Sequence, residues 1–224
     1  MPNFMSSHHF VKEHQEPALI IANGQACSTN LLEQFLEWSP YVIVLDGAIE
    51  KVNSLGIKYD VVLGDFDRIN YTLDQLAEQP NIEIIHAPDQ NKTDLEKALD
   101  FLIEKGQKSV NILWATGYRM DHTFNNICTI GKYSPKINAI LFDDYSKICV
   151  LPKVFIKYYA KGQIISLFAL GEVTDIETKG LLYNLSKECL KIADRSGTSN
   201  ESAETGIVEI KHNSGILVLM ECND

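Results

Sequence analysis

Two carboxylates stand two residues apart in Gly64-Asp65-Phe66-Asp67, where the apolar run Val61-Val62-Leu63 ends. In an extended chain, side chains two apart point the same way. The spacing would then present Asp65 and Asp67 to one ligand. Acids this close repel unless a cation lies between them. Hard oxygen donors suit Mg²⁺, which completes its shell with water and substrate phosphate. A loop with two solvated acids is the plain alternative. Lys92-Thr93-Asp94 is a second candidate. Thr93 with Glu96 fits a capping box, and an acid at Asp94 is favoured by the helix dipole. Asp94 would otherwise be a third metal ligand, with helix-start N–H groups facing phosphate. A third stretch, Gly117-Tyr118-Arg119-Met120-Asp121-His122, offers a planar guanidinium for phosphate oxygens. Its Asp121 also reads as a helix N-cap, and His122 as a proton relay or a structural histidine. Asn23-Gly24 and Asp46-Gly47 would let phosphate approach the backbone, or are ordinary turns. Tyr183 and Ser199-Asn200, taken alone, are core and turn residues.

These groups need a scaffold that brings them together. Short apolar runs predict strands at Ala18–Ala22, Tyr41–Leu45, Asp60–Leu63, Ile82–Ile85, Val110–Trp114 and Ala139–Phe142. Between them, helical spacing predicts helices over Thr29–Trp38, Ala48–Leu55, residues 71–78, Thr93 to Gly106, and Asp121 or His122 to about Ile130. Strands alternating with helices imply a parallel sheet covered on both faces. Asn23, Asp46, Asp65, Asp67, the Asp89–Asp94 segment, Arg119, Asp121 and Asp143 all follow the end of an apolar run. In such a fold those ends share one edge, where ligands bind. After Asp144 the runs become short and regularly spaced, which predicts an all-β sandwich or roll. The boundary falls between Asp144 and Lys153 with no flexible linker, so the two parts pack together.

The 224 residues carry a formal charge of −10. An acidic chain without a basic stripe argues against nucleic acid and anionic membranes as partners. No apolar run is long enough for a membrane helix. Five scattered cysteines with no CxxC pair argue against a zinc site or disulfide framework and for a reducing, cytoplasmic compartment. Residues 1–16 read as a disordered or extra polar lead. The chain has no GxxxxGK[ST] and no GxGxxG after a strand, so neither a P-loop nor a dinucleotide fingerprint is present.

The order DGA (Asp46–Ala48), GDFD (Gly64–Asp67), PDQNKTDLEKAL (Pro88–Leu99), GYRMDH (Gly117–His122), KGLLYNL (Lys179–Leu185) and GTSN (Gly197–Asn200) resembles the thiamine pyrophosphokinase family. The resemblance implies a Rossmann-like α/β nucleotide-binding domain (17–146) followed by a β-sandwich thiamine-binding domain (147–224). It implies a homodimer whose active sites use both subunits, with ATP as co-substrate and Mg²⁺ as metal. Pyrophosphate would pass from ATP to the thiamine hydroxyl, giving thiamine diphosphate and AMP. Asp65, Asp67 and Asp94 would hold Mg²⁺. Asp46, Thr93, Arg119 and Asp121 would line the nucleotide cleft, with Asn23, Gly24, Gly47, Gly117 and His122 contributing. One of Asp46, Asp67 and Asp121 would accept the hydroxyl proton. Gln90 would meet thiamine, Tyr183 would stack on its pyrimidine in place of the family's usual tryptophan, and Ser199 and Asn200 would hydrogen-bond the ring from the partner subunit. Arg68, Ala48 and Glu50 also depart from the family pattern. Two rival readings remain at this stage. One is a phosphohydrolase using the Asp-x-Asp pair, with Asp143-Asp144 as its late acids. The other is a thiamine or nucleotide sensor without catalysis.

Overall fold

Three four-residue apolar runs, β1 (Ala18–Ile21), β2 (Val42–Leu45) and β3 (Val61–Gly64), are buried along their whole length. Burial on both faces is what a parallel sheet under helices demands. The computed structural model describes residues 17–67 and 81–223. The lead at 1–16, Arg68 and the helix expected over 71–78 lie outside those residues. β4 (Glu83–His86), β5 (Ser109–Leu113) and β6 (Asn138–Phe142) complete the parallel set, ordered β6-β5-β1-β2-β3-β4. The sheet is covered by α1 (Thr29–Leu36), α2 (Ile49–Ser54), α3 (Asp94–Glu104) and α4 (Met120–Tyr133). A 3₁₀ turn, Asp46–Ala48, leads from β2 into α2. The chain winds outward from β1 to β4 and then returns to β5 on the other side of β1. The strand order therefore reverses between β1 and β5, the point at which open α/β sheets form a binding crevice.

Two helix boundaries differ from expectation. α1 stops at Leu36, with Glu37 as its C-cap. α4 runs past Ile130 to Tyr133, because Gly131 does not end it. A Cβ at Gly131 would lie 2.5 Å from Leu170 Cδ1, so this glycine admits a side chain of the second half of the chain against the helix. Asp121 lies inside the first turn of α4, and Arg119 occupies the N-cap position without a capping side chain.

The predicted β sandwich is present, and one of its sheets is an extension of the parallel sheet. β7 (Ser146–Val150) turns back on β6 as an antiparallel neighbour. β14 (Ile216–Cys222), β9 (Ile164–Leu170) and β12 (Gly197–Glu201) follow, giving ten strands in the order β12-β9-β14-β7-β6-β5-β1-β2-β3-β4. β8 (Val154–Tyr159), β10 (Glu172–Lys179), β11 (Ser186–Lys191) and β13 (Gly206–Lys211) form the second sheet, ordered β11-β10-β13-β8. β14 shows how the sequence joins the layers. Val218 packs in the core shared with α3 and α4, while Leu217 and Leu219 on its other face pack between the two sheets. Among the described residues no helix is long and apolar enough to cross a membrane.

Leu219 is fully buried. Leu219→Ala is expected to cost about 2–5 kcal/mol through lost burial and a residual cavity. Because the sheet is continuous, urea unfolding followed by fluorescence and by circular dichroism should still show one shared transition. Two separated transitions would contradict a single cooperative unit.

Candidate active site

Loops at the C-terminal ends of β1, β2, β3 and β5 pack so tightly that glycine is required where they cross. A Cβ on Gly64 would lie 2.2 Å from the Asp46 carboxylate, and one on Gly47 would lie 2.3 Å from Asn23 Nδ2. A Cβ on Gly24 would meet the carbonyls of Trp114 and Thr116 at 2.5 Å. Gly24 and Gln25 donate to those same carbonyls, closing the β1 loop onto the β5 loop. Gly117, at φ +77°, lets that loop turn beside Gln25. Asn23, Gly24, Gly47 and Gly117 therefore come together at the strand-order reversal.

Asp46 is the buried acid of the group. Its carboxylate accepts from Phe66 N at 2.9 Å and from its neighbour Gly47 N. Burial pushes its pKa up, and the charges of Asp94 and Asp65 push it further, against the pull of the two amides. Three acids from the ends of β2 and β3 and the start of α3 thus feel one another. Asp65 Oδ1 accepts from Asp67 N at 3.2 Å, and its Oδ2 accepts from Gln90 Nε2 at 3.1 Å. Those bonds, with the nearby Lys97 charge, hold Asp65 below the usual carboxylate range. Asp94 accepts from Lys97 Nζ at 3.0 Å.

The extended geometry expected for Asp65 and Asp67 is not what forms. Phe66 is left-handed at φ +59°, and Asp67 lies in the turn that follows. The chain folds around the Asp65 carboxylate instead of alternating, and Asp67 stays exposed beside it. Among the described residues no three His, Cys, Asp or Glu side chains stand close enough to hold a metal ion. Asp46, Asp65 and Asp94 nonetheless fit a hard divalent cation in chemistry, since all three are oxygen donors.

Thr93 caps α3 and completes the capping box. Its hydroxyl accepts from Glu96 N at 3.4 Å, and Thr93 N donates to the Glu96 carboxylate at 2.9 Å. Arg119 and Asp121, both exposed, grip each other through two bonds, and Arg119 draws the Asp121 pKa down to about 2. His122 is exposed in the first turn of α4. Asp143 and Asp144 have local partners. Asp143 accepts from Thr116 Oγ1 and from the amides of Tyr145 and Ser146 in the β6–β7 turn. Asp144 takes Ser28 N on both oxygens at the start of α1. They build turns and are not a late acid pair.

Two cations were not singled out from the sequence. Lys97 is 8% exposed and sits among the acids. Its position in α3 interrupts an otherwise apolar inward face of Leu95, Ala98, Leu99 and Leu102, which is the signal that marks it. Lys51 lies in α2, with its Nζ 3.2 Å from Gly24 O.

Tyr183, Ser199 and Asn200 form a separate group. Asn200 is buried; its amide donates to Tyr183 O at 2.7 Å and accepts from Tyr183 N at 3.1 Å. The Tyr183 main chain is clamped while its ring stands 69% exposed. Ser199 is left-handed at φ +55°, and its N–H is held by Ser166 Oγ. β12 lies eight strand-to-strand steps from β3 in the long sheet. At about 4.8 Å per step that is nearly 40 Å. Within one chain this group does not meet the acids.

Two family models match the chain: "Thiamin pyrophosphokinase, catalytic domain" over residues 32–141 and "Thiamin pyrophosphokinase, vitamin B1 binding domain" over residues 153–217. Thiamin pyrophosphokinase 1 of Caenorhabditis elegans is 22% identical over 215 residues, covering 89% of this chain and 86% of that protein. Thiamine pyrophosphokinase 1 of Oryza sativa subsp. japonica is 29% identical over 156 residues, 64% of this chain and 59% of that one. Among solved structures, thiamine pyrophosphokinase from Bacillus subtilis superposes with a TM-score of 0.79 at 23% identity, over 93% of this chain and all of that one. Yeast thiamin pyrophosphokinase does so with a TM-score of 0.78 at 15% identity, over 98% and 90%. At these identities the structural likeness speaks for the fold.

Gly64→Ala should drive the Asp46 carboxylate off its amide donors. A loss of about 1–3 kcal/mol is expected from overpacking, read as a lower melting temperature. Unchanged stability would mean that the β2 and β3 loops do not interlock as described.

Proposed function

Because the chain belongs to the thiamin pyrophosphokinase family, we propose that it moves pyrophosphate from ATP to the hydroxyl of thiamine, releasing AMP. The observation that carries this reading is the convergence of Asp46, Asp65 and Asp94 beside the strand-order reversal, in a chain matched by both family models. Asp65 and Asp94, with Asp67, would hold Mg²⁺. The bound ion would supply Lewis-acid stabilisation of charge on the transferring phosphates. Asp65 and Asp94 are engaged with Gln90 and Lys97 in the arrangement described, so metal binding requires those pairs to open.

The chain's own residues divide the remaining work. Phosphoryl transfer needs positioning and charge neutralisation more than covalent help. Arg119 would turn from Asp121 to phosphate, its fork suited to two oxygens. One of Asp46, Asp67 and Asp121 would accept the hydroxyl proton; in the arrangement described Asp121 is paired with Arg119 and Asp46 with two backbone amides. The glycines at 24, 47 and 117 would allow phosphate close to the backbone, flanked by Asn23, Thr93 and His122. Gln90 would reach thiamine from the acid loop.

Tyr183 would stack on the pyrimidine ring, with Ser199 beside it and Asn200 holding the tyrosine in place. The separation of this group from the acids supports a homodimer in which each site takes the α/β part of one subunit and Tyr183 from the other. It also supports dividing the chain near residue 146 into a nucleotide-binding and a thiamine-binding part. Neither rival reading gains support: Asp65 follows the third strand rather than the first, and Asp143 and Asp144 are occupied in turns.

Incubation with ATP, Mg²⁺ and thiamine should yield thiamine diphosphate and AMP in equal amounts. Release of inorganic phosphate without AMP would sink the proposal. Asp65→Asn should lower turnover by about a hundredfold or more through loss of ligand charge, with the melting temperature largely kept; wild-type turnover would remove Asp65 from the site. Tyr183→Ala should weaken thiamine binding by about 1 kcal/mol or more, seen by calorimetry. Mixing the Asp65→Asn and Tyr183→Ala proteins under subunit exchange, at thiamine concentrations low enough that the weakened Tyr183→Ala protein turns over poorly, should raise activity above the sum of the two alone, because a mixed dimer holds one intact site. No gain despite exchange would contradict a shared site.

A further inference from the structure

The segment that carries Asp46 toward the acids also carries Lys51 toward the crevice between β1 and β5. Asp46–Ala48 leads directly into α2, and Lys51 lies in the first turn of that helix. Its ammonium donates to Gly24 O at 3.2 Å. It also stands 5.2 Å from the ring centre of Trp114 and 5.5 Å from that of Tyr118. Trp114 is 1% exposed, and Tyr118 is the exposed ring on the other side. Trp114 and Tyr118 are both left-handed, at φ +57° and +47°, so the β5 loop is bent to set these rings around the cation.

The described contacts of Lys51 are one carbonyl and two aromatic rings, and none of these is a carboxylate. That is notable in a chain with 30 acidic and 20 basic residues. A lysine ammonium has three donors, and one carbonyl accounts for one of them. Aromatic faces stabilise the charge without neutralising it. The result is a half-buried, pre-positioned cation at the strand-order reversal, whose described contacts neither neutralise it nor use all its donors. A phosphate oxygen supplies what is missing, and a lysine meets it as a point charge.

We propose that Lys51, held between Trp114 and Tyr118, binds the phosphate chain of the nucleotide substrate. The inference rests on the crevice being the nucleotide site. Lys51 thereby takes one part of the triphosphate while the Asp46, Asp65 and Asp94 cluster serves another. The two are coupled through the single Asp46–Lys51 segment. Tyr118 acts as a positioning residue, because it reaches the phosphate only through the lysine.

The test is ATP affinity by calorimetry with Mg²⁺ present, for wild type, Lys51→Met and Lys51→Arg. Lys51→Met keeps the length of the stem and loses the charge. It is expected to weaken ATP binding by about tenfold or more, the size of a lost charged hydrogen bond. Its melting temperature and its KM for thiamine should stay near wild type, and Lys51→Arg should recover most of the affinity. Equal ATP affinity in wild type and Lys51→Met would overturn the role of Lys51 while leaving the proposed reaction intact. A parallel loss of ATP affinity and melting temperature, not recovered by arginine, would overturn it in favour of a purely structural lysine. Failure of the wild-type protein to bind ATP would overturn both this inference and the proposed reaction.

Discussion

The arrangement depends on one carboxylate wedged between two loops. Asp46 leaves the end of β2, fills the space where Gly64 lacks a side chain, and ties down Phe66 N. That bond helps to hold Phe66 in its left-handed turn, and the turn decides where Asp65 and Asp67 stand. Burial pushes the Asp46 pKa up, and the neighbouring charges of Asp94 and Asp65 add to it. A buried lysine, Lys97, offsets part of the charge from the helix that supplies Asp94. Backbone packing therefore sets where these acids stand relative to one another.

The second half of the chain solves a different problem. Its strands need a partner edge and a second layer, and both come from the fold itself. β7 pairs with β6, so the parallel sheet gains four antiparallel strands, and the second sheet covers their outer face. Leu217 and Leu219 supply the inter-sheet core, while Val218 joins the core under α3 and α4. Asn200 then uses its amide to fix both main-chain polar groups of Tyr183, which leaves a rigidly based aromatic ring facing outward. The two candidate ligand surfaces belong to one sheet yet lie far apart along it.

Much of this was legible in residue order. The parallel strands read as apolar runs because burial on both faces removes polar alternation, and the Thr93–Glu96 capping box was visible as a spacing. The clustering of polar residues after strands followed from topology alone. Other features were not readable, for physical reasons. The helix runs beyond Ile130, and the role of Gly131 in admitting Leu170 depends on a strand far along the chain. The continuity of the sheet through β6 and β7 hides in a short acidic turn, Asp143-Asp144, whose side chains serve backbone amides. The left-handed Phe66 breaks the alternation that the Asp65–Asp67 spacing suggested, and its N–H is held by the buried Asp46 carboxylate from another loop. Lys51 carries no sequence signal beyond its place in a short helix, since its rings come from β5.

A ten-stranded sheet that runs unbroken through both halves acts as a chassis without a hinge. Bending it would break rows of main-chain bonds at β6 and β7 together. Any rearrangement around a ligand must then be carried by the loops at the strand ends. The two halves would shift as one rigid plate, and only its fringe of turns would be free to give.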